Sequence, residues 1–192
     1  MNSPRQTQLA QDVWAQIIRP GDTCVDATCG NGHDTAFLAA AVGPTGRVWA
    51  VDVQPEALAA TRATVEAAVP EAARPRVEYV LGCHSRIQEW AGSNAARVIC
   101  FNLGYFPGGD KSITTTSAGT LAAAEAAFEV LAPGGVLSLL CYTGHPGGRE
   151  EYDAVSQLVA ALPPAYWTTA KLELLNRPTA PVLLLACKRP LR

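Results

Sequence analysis

Val25-Asp26-Ala27-Thr28-Cys29-Gly30-Asn31-Gly32-His33-Asp34 is the stretch whose reading decides the fold. Thr23 to Ala27 has the composition of a short strand. The two glycines then let the backbone turn sharply and approach a ligand closely. Asp34 to Val42 follows with a helical pattern that ends at Gly43-Pro44. Strand, glycine turn and helix in that order begin a βαβ unit. In open α/β sheets ligands bind at the carboxyl ends of the strands, which is where this turn lies. Two spaced glycines by themselves would also serve as plain turn glycines. The reading gains weight from Asp52, which ends the next strand, Arg47 to Val53, 26 positions after Asp26. A carboxylate there can accept two hydrogen bonds from vicinal ribose hydroxyls, or it can be a solvated strand-end group.

Outward from this stretch, helical and strand patterns alternate. Gln6 to Ile18 carries apolar residues at helical spacing and is stopped by Pro20-Gly21. Pro55 to Val69 is an Ala-rich helix with proline in its first turn. Strands are predicted at Arg76 to Leu81, Ala96 to Asn102 and Val136 to Tyr142. Helices are predicted at Ser85 to Trp90, Thr116 to Leu131 and Arg149 to Leu162. The last two strands, Trp167 to Leu175 and Val182 to Lys188, have no helix between them and can form a hairpin. The pattern predicts an α/β fold: a mostly parallel seven-stranded sheet with a C-terminal antiparallel hairpin and helices on both faces. By analogy, this is the layout of a Rossmann-like class I methyltransferase.

The bulk properties agree with that class. The chain has 192 residues, 48% hydrophobic and 17% charged, which suits one domain over residues 1–192 with a full core. No apolar run reaches the roughly 18 residues of a membrane span, and the N-terminus lacks a signal-peptide pattern, so a cytoplasmic protein with no membrane partner is expected. The net charge of −2 excludes a broad basic face for long nucleic acid; an RNA partner would be met by a local contact. None of the six cysteines forms a C-x-x-C pair, so buried free thiols are expected and no metal site. A homodimer is compatible with such a chain.

The glycine turn also discriminates between cofactors. Dinucleotide enzymes prefer a third glycine, where this chain has Thr35, and Asp26 and Asp34 put negative charge beside the turn. Both features disfavour a pyrophosphate and suit a ligand with an amino group and a sulfonium, for which S-adenosylmethionine is the candidate. The expected cofactor-binding set is Asp26, Thr28, Gly30, Asn31, Gly32, His33, Asp34, Asp52 and Gln54. Cys83 and His84 are expected at the adenine end and Asn102 at the methyl end. Asp26 is placed near the amino-acid end, while Gly82-Cys83-His84 offers no acidic group to the adenine. His33 and His84 would alternatively cap their helices.

The predicted fourth strand runs into Phe101-Asn102-Leu103-Gly104-Tyr105-Phe106-Pro107-Gly108-Gly109-Asp110-Lys111-Ser112, and the fifth into Tyr142-Thr143-Gly144-His145-Pro146-Gly147-Gly148-Arg149. Asn102-Leu103-Gly104-Tyr105 resembles the motif of amino-methyltransferases, in which an Asn and the following carbonyl accept hydrogen bonds from an amine and an aromatic packs on the substrate. Asn102, Tyr105, Asp110 and His145 are therefore the catalytic candidates. Leu103, Gly104, Pro107, Gly108, Gly109, Lys111, Ser112, Gly147 and Arg149 join Tyr105 and His145 as substrate candidates. Lys111 and Arg149 are the cations best placed for an RNA phosphate, though either could be a solvated surface charge. His145 would be a base, a phosphate contact or a surface residue.

Three segments together, Asp-Ala-Thr-x-Gly-Asn-Gly-His-Asp-Thr, Phe-Asn-Leu-Gly-Tyr-x-Pro-Gly-Gly-Asp-Lys-Ser and Gly-His-Pro-Gly-Gly-x-x-Glu, resemble the signatures of a bacterial and plastid group once labelled rRNA methylases. That group is associated with methylating the aminomethyl group of wobble 5-aminomethyl-2-thiouridine. The resemblance covers about residues 8 to 188 and departs from the family at Gly82, where an acidic residue is usual. It implies a class I S-adenosylmethionine-dependent methyltransferase acting on a tRNA anticodon loop. The rival readings are methylation of an rRNA base or a small-molecule amine and, in a different class, a non-catalytic S-adenosylmethionine- or NAD-binding module.

Overall fold

Seven strands form one sheet in the order β3-β2-β1-β4-β5-β7-β6. The structure is a computed structural model and describes residues 6–110 and 113–190. The strands are β1 (Thr23–Asp26), β2 (Arg47–Asp52), β3 (Arg76–Leu81), β4 (Ala96–Leu103), β5 (Leu131–Cys141), β6 (Trp167–Leu172) and β7 (Val182–Lys188). Between them lie α2 (His33–Val42), α3 (Pro55–Ala68), α4 (Ile87–Ala91), α5 (Ser117–Val130) and α6 (Gly148–Ala160), with α1 (Gln6–Ile17) ahead of the sheet. The pairs β1–β2, β1–β4, β2–β3 and β4–β5 are parallel. β7 runs antiparallel to both β5 and β6. The fold is the Rossmann-like methyltransferase layout expected from the sequence.

Side-chain alternation along β4 shows how the sheet is covered. Val98 and Cys100 pack toward Ala10 and Trp14 of α1, Leu38 of α2 and Val65 of α3. Ile99, Phe101 and Leu103 pack toward Ile87 of α4, Ala127 of α5 and Val155 of α6. Both faces are therefore dry, which is why the strands read as continuous apolar runs. Each fully buried Val, Leu or Ile in them contributes roughly 1.5–3 kcal/mol.

Two boundaries differ from expectation by more than two residues. β5 begins at Leu131 because Leu131 already pairs with Ala96, and the register shift before Val98 absorbs Pro133-Gly134-Gly135. A Cβ at Gly135 would lie 2.7 Å from the Arg97 carbonyl oxygen, so the strands approach too closely there for a side chain. β6 stops at Leu172, opposite Leu183; beyond it Leu175 is 99% exposed, apolar in sequence but unpaired in the sheet.

From β1 the chain builds outward to β3, then returns to β4 on the other side of β1. That reversal opens a crevice at the carboxyl ends of β1 and β4, the usual ligand site of such sheets. No helix among the described residues is long and apolar enough to cross a membrane.

Candidate active site

A cleft of about 1150 Å³ opens at this switch point. One wall is the turn after β1. Gly30 and Gly32 both adopt left-handed backbone (φ +49° and +78°), and a Cβ at Gly32 would lie 2.5 Å from the Thr61 Cα on α3. The turn is tied down from α3 as well: Thr61 Oγ1 donates to the Gly30 carbonyl at 3.0 Å and Thr64 Oγ1 to that of Asn31 at 2.8 Å. Asp52 accepts from Gly30 N–H through one oxygen and from Gln54 N–H through the other, each at 3.0 Å. The carboxylate at the end of β2 is thus fixed while still lining the cleft. Each oxygen keeps a lone pair for a ligand hydroxyl.

Asp26 and Asp34 have different surroundings. Asp34 lines the cleft, accepting from Asn102 Nδ2 at 2.8 Å and from Gln11 Nε2 at 2.7 Å. Asp26 is fully buried beneath the turn, where it accepts from Thr35 Oγ1 at 2.6 Å and Thr28 N–H at 3.4 Å. Burial, and then the neighbouring Asp34 carboxylate, push the Asp26 carboxyl up to about 7. Asp26, expected near the cofactor's amino-acid end, closes the turn from below, and Asp34 is the one of the two that lines the cleft. Thr35, standing where a dinucleotide site would have its third glycine, is the partner that makes this burial tolerable.

Asn102 sits near the end of β4, between the two walls. Its N–H donates to Thr28 Oγ1 at 2.6 Å and its side-chain amide nitrogen to Asp34. With the nitrogen committed, Oδ1 is what the amide has left to offer as an acceptor. The far wall comes from the segments after β4 and β5. Tyr105 pairs with Thr114 as an isolated bridge, and Gly104 accepts from Thr115 N–H at 2.9 Å, so the long loop folds back on itself. Tyr105 lies edge-on to His145, ring centroids 6.3 Å apart. The loop also touches the cofactor wall: Asn31 Nδ2 donates to the Pro107 carbonyl at 3.3 Å, and Gln54 Oε1 accepts from Asp110 N–H at 3.2 Å.

The cleft therefore brings together Thr28, Gly30, Asn31, Gly32, His33, Asp34, Asp52 and Gln54 with Asn102, Gly104, Tyr105, Pro107 and His145. Cys83 and His84 line its other end. Burial lowers the His84 imidazole from its ordinary range, and it stacks edge-on against Phe101 at 5.5 Å. Several expected substrate residues stand elsewhere. The Leu103 side chain is in the core, and its carbonyl accepts from Tyr142 N–H at 3.2 Å. Gly108, Gly109 and Asp110 are not among the residues that line the cleft, and Gly147 is the left-handed N-cap of α6. Arg149 pairs with Asp153 at 3.1 Å on the exposed face of α6 instead of facing the cleft. His145 lines the cleft, with Nδ1 3.1 Å from the Pro146 carbonyl and Nε2 buried. Lys111 and Ser112 lie outside the described residues. Sequence reasoning missed Thr7, Gln8 and Gln11 of α1, together with Phe106 and Tyr142, all at the cleft. The signal for Gln11 was its place beside Ala10 on the buried side of an amphipathic helix.

Among the described residues lining the cleft, Asp34 and Asp52 carry negative charge and no Lys or Arg opposes them. Such a lining repels pyrophosphate and attracts a cation.

The family model described as "Putative rRNA methylase" matches residues 48–188. The chain belongs to this methylase family. The methylase is 44% identical over 191 residues to the "tRNA (mnm(5)s(2)U34)-methyltransferase, chloroplastic" of Arabidopsis thaliana, covering 96% of this chain and 70% of that one. Its structure resembles that of a "putative rRNA-methylase" from Clostridium thermocellum, with 31% identity, 98% and 100% of the two chains covered and a TM-score of 0.90. It also resembles a "putative methyltransferase" from Streptococcus mutans solved in complex with SAH, at 32% identity, 97% and 99% coverage and a TM-score of 0.83.

Proposed function

We propose that this S-adenosylmethionine-dependent methyltransferase modifies tRNA, transferring a methyl group to the aminomethyl nitrogen of a wobble uridine in the anticodon loop. The observation that carries this reading is the fixing of Asn102 at the switch point, backbone to Thr28 and side chain to Asp34. A pinned amide whose oxygen remains as acceptor suits an amine, because it can orient an N–H without itself ionising. The kinship with the Arabidopsis thaliana tRNA methyltransferase supports the tRNA substrate.

When bound, S-adenosylmethionine supplies an electrophilic methyl group on a sulfonium. Asp52 would hold its ribose hydroxyls, the Gly30–Gly32 backbone its amino-acid portion, and Cys83 with the backbone beside it the adenine. The cation-attracting lining fits such a cofactor. On the acceptor side Asn102 Oδ1 takes an N–H of the amine and turns the nitrogen lone pair toward the methyl group, while Tyr105 packs on the uridine. An alkylamine with a pKa near 10.4 is neutral in roughly one molecule in 2500 at pH 7. Its proton leaves to water through the open cleft before attack, and positioning supplies much of the rate. A wobble base is already unpaired, so it enters without melting a duplex and needs little protein surface. That reconciles an RNA substrate with a net charge of −2.

The test is a single-turnover assay on undermodified tRNA. Asn102→Ala should lower the transfer rate about 100-fold, equivalent to about 2.7 kcal/mol, with tRNA affinity nearly intact. Tyr105→Ala should act partly through weaker binding. A folded Asn102→Ala enzyme with a wild-type rate contradicts the assignment.

A further inference from the structure

Asn102 is held by Asp34, and Asp34 is itself held. Its Oδ2 takes the Asn102 amide at 2.8 Å and its Oδ1 takes Gln11 Nε2 at 2.7 Å, so three side chains from β4, α2 and α1 form one continuous chain of hydrogen bonds. Gln11 belongs to a helix that is anchored on both sides of it. Trp14, one turn on, is buried and lies edge-on to Phe37 of α2, with centroids 6.0 Å apart. Gln6, five residues back, donates to the Pro181 carbonyl at 2.9 Å, tying α1 to the β6–β7 connection. Residues i and i+3 share a face of a helix, so Trp14 and Gln11 lie on the same side, and Gln11 lines the cleft. Asp34 in turn sits in the first turn of α2.

We infer that Gln11 is a positioning residue for methyl transfer: it fixes Asp34, and Asp34 fixes which end of the Asn102 amide faces the acceptor. This rests on the proposal that Asn102 orients the amine. An amide has a donor end and an acceptor end of nearly the same shape. Only the oxygen can accept an amine N–H; the nitrogen presents its own hydrogens to the incoming group. A carboxylate accepts through both oxygens, so Asp34 takes the nitrogen end of the Asn102 amide in any rotation, but a carboxylate free to rotate would leave the amide, and with it Oδ1, free to move. With Gln11 on the opposite oxygen, the carboxylate has one orientation and Asn102 Oδ1 one position. Charge-assisted hydrogen bonds of this length are the stronger kind. A helix outside the sheet thereby becomes part of the reaction centre.

The test uses the full chain, labelled S-adenosylmethionine and undermodified tRNA. Gln11→Leu removes the donor and should lower the single-turnover rate about tenfold at saturating cofactor and tRNA, with both half-saturation concentrations within about twofold of wild type. Gln11→Glu adds a readout that mere packing would not move. Protonated, the introduced carboxyl can donate to Asp34; ionised, it repels Asp34, and a paired carboxyl holds its proton to higher pH than an isolated one. The ratio of the Gln11→Glu rate to the wild-type rate should therefore fall as pH rises from 5 to 8. A wild-type rate in folded Gln11→Leu overturns the inference, and so does a loss expressed only as weaker cofactor binding, or a pH-independent ratio in Gln11→Glu. Asn102→Ala run alongside separates the two levels. If it slows transfer and Gln11→Leu does not, only the relay fails; if Asn102→Ala transfers at the wild-type rate, the reading beneath the relay fails with it.

Discussion

The two walls of the cleft are built differently. The turn after β1 is pressed against α3 so closely that Gly32 has no room for a methyl group, and Thr61, Thr64 and Asp52 bind its backbone. The segment after β4 reaches from Gly104 to Thr116 before α5 begins, and at its tip Gly108 has nothing within 4 Å of a built Cβ. Among the described residues, side chains hook it to its surroundings, from Asn31 to the Pro107 carbonyl, from Gln54 to Asp110 N–H and from Thr115 to Glu151. A preformed wall suits a cofactor whose shape never varies, and a hooked loop suits an RNA end that must be admitted and released.

The sharpest way to break this contrast is Gly32→Ala. The new side chain would need left-handed backbone at φ +78° and would strike the α3 main chain, so a loss of about 3 kcal/mol or more in stability is expected. Thermal unfolding, with cofactor titration of whatever folds, measures it. A variant as stable as wild type would mean that the turn is not rigid.

Glu151 tests the other wall. It is 2% exposed, accepts from Thr120 Oγ1 at 2.5 Å and Thr115 Oγ1 at 2.8 Å, and so pins the returning end of the loop to α5 and α6. Glu151→Ala should cost about 2 kcal/mol. It should also speed proteolysis within residues 104–116, while cofactor affinity stays within about twofold. Equal protection of the loop in variant and wild type would show that it is held by something else.

Asp26 sharpens the comparison through pH. Its folded-state carboxyl titrates at about 7, above the ordinary carboxylate range, so the native state holds a proton the unfolded chain releases near pH 4. The resulting stabilisation is complete below about pH 4 and is lost as pH rises through 7. Between pH 5 and 8 the melting temperature of wild type should therefore decline more steeply than that of Asp26→Asn, which keeps the shape without the titration. Parallel curves would remove Asp26 from the account.

The smallest effect should come from Gly144→Ala, in the loop after β5. Its φ is not positive and nothing lies within 4 Å of the added Cβ, so stability should change by no more than about 0.5 kcal/mol by denaturant unfolding.

The fold was legible because its signals are local. Apolar runs, Pro20-Gly21, Gly43-Pro44 and the asparagine–proline stretch before β7 place most strand and helix ends within a residue or two of where they lie. The exceptions depend on partners distant in sequence. Leu131 joins β5 because Ala96 is opposite it, and Leu174-Leu175 reads as strand although β7 offers it no partner. At the site, the glycine turn and Asp52 are legible because backbone geometry and a strand-end carboxylate announce themselves. Asp26 and Asp34 look alike in sequence, and only the hydroxyl of Thr35 and the amides of Gln11 and Asn102 decide which is buried and which faces the cleft. Arg149 reads as an RNA contact until Asp153, one helical turn on, claims it.

The central claim is the acceptor: an aliphatic amine on a tRNA wobble uridine. Purified protein, methyl-labelled S-adenosylmethionine and total RNA from a strain lacking this gene should be incubated together, and the RNA digested to nucleosides for mass spectrometry. The account predicts one labelled nucleoside, recovered from the tRNA fraction, in which the aminomethylated 2-thiouridine has gained a methyl group on its side-chain nitrogen. Label in ribosomal RNA, on a ring atom of any base, or in no nucleoside at all would contradict it.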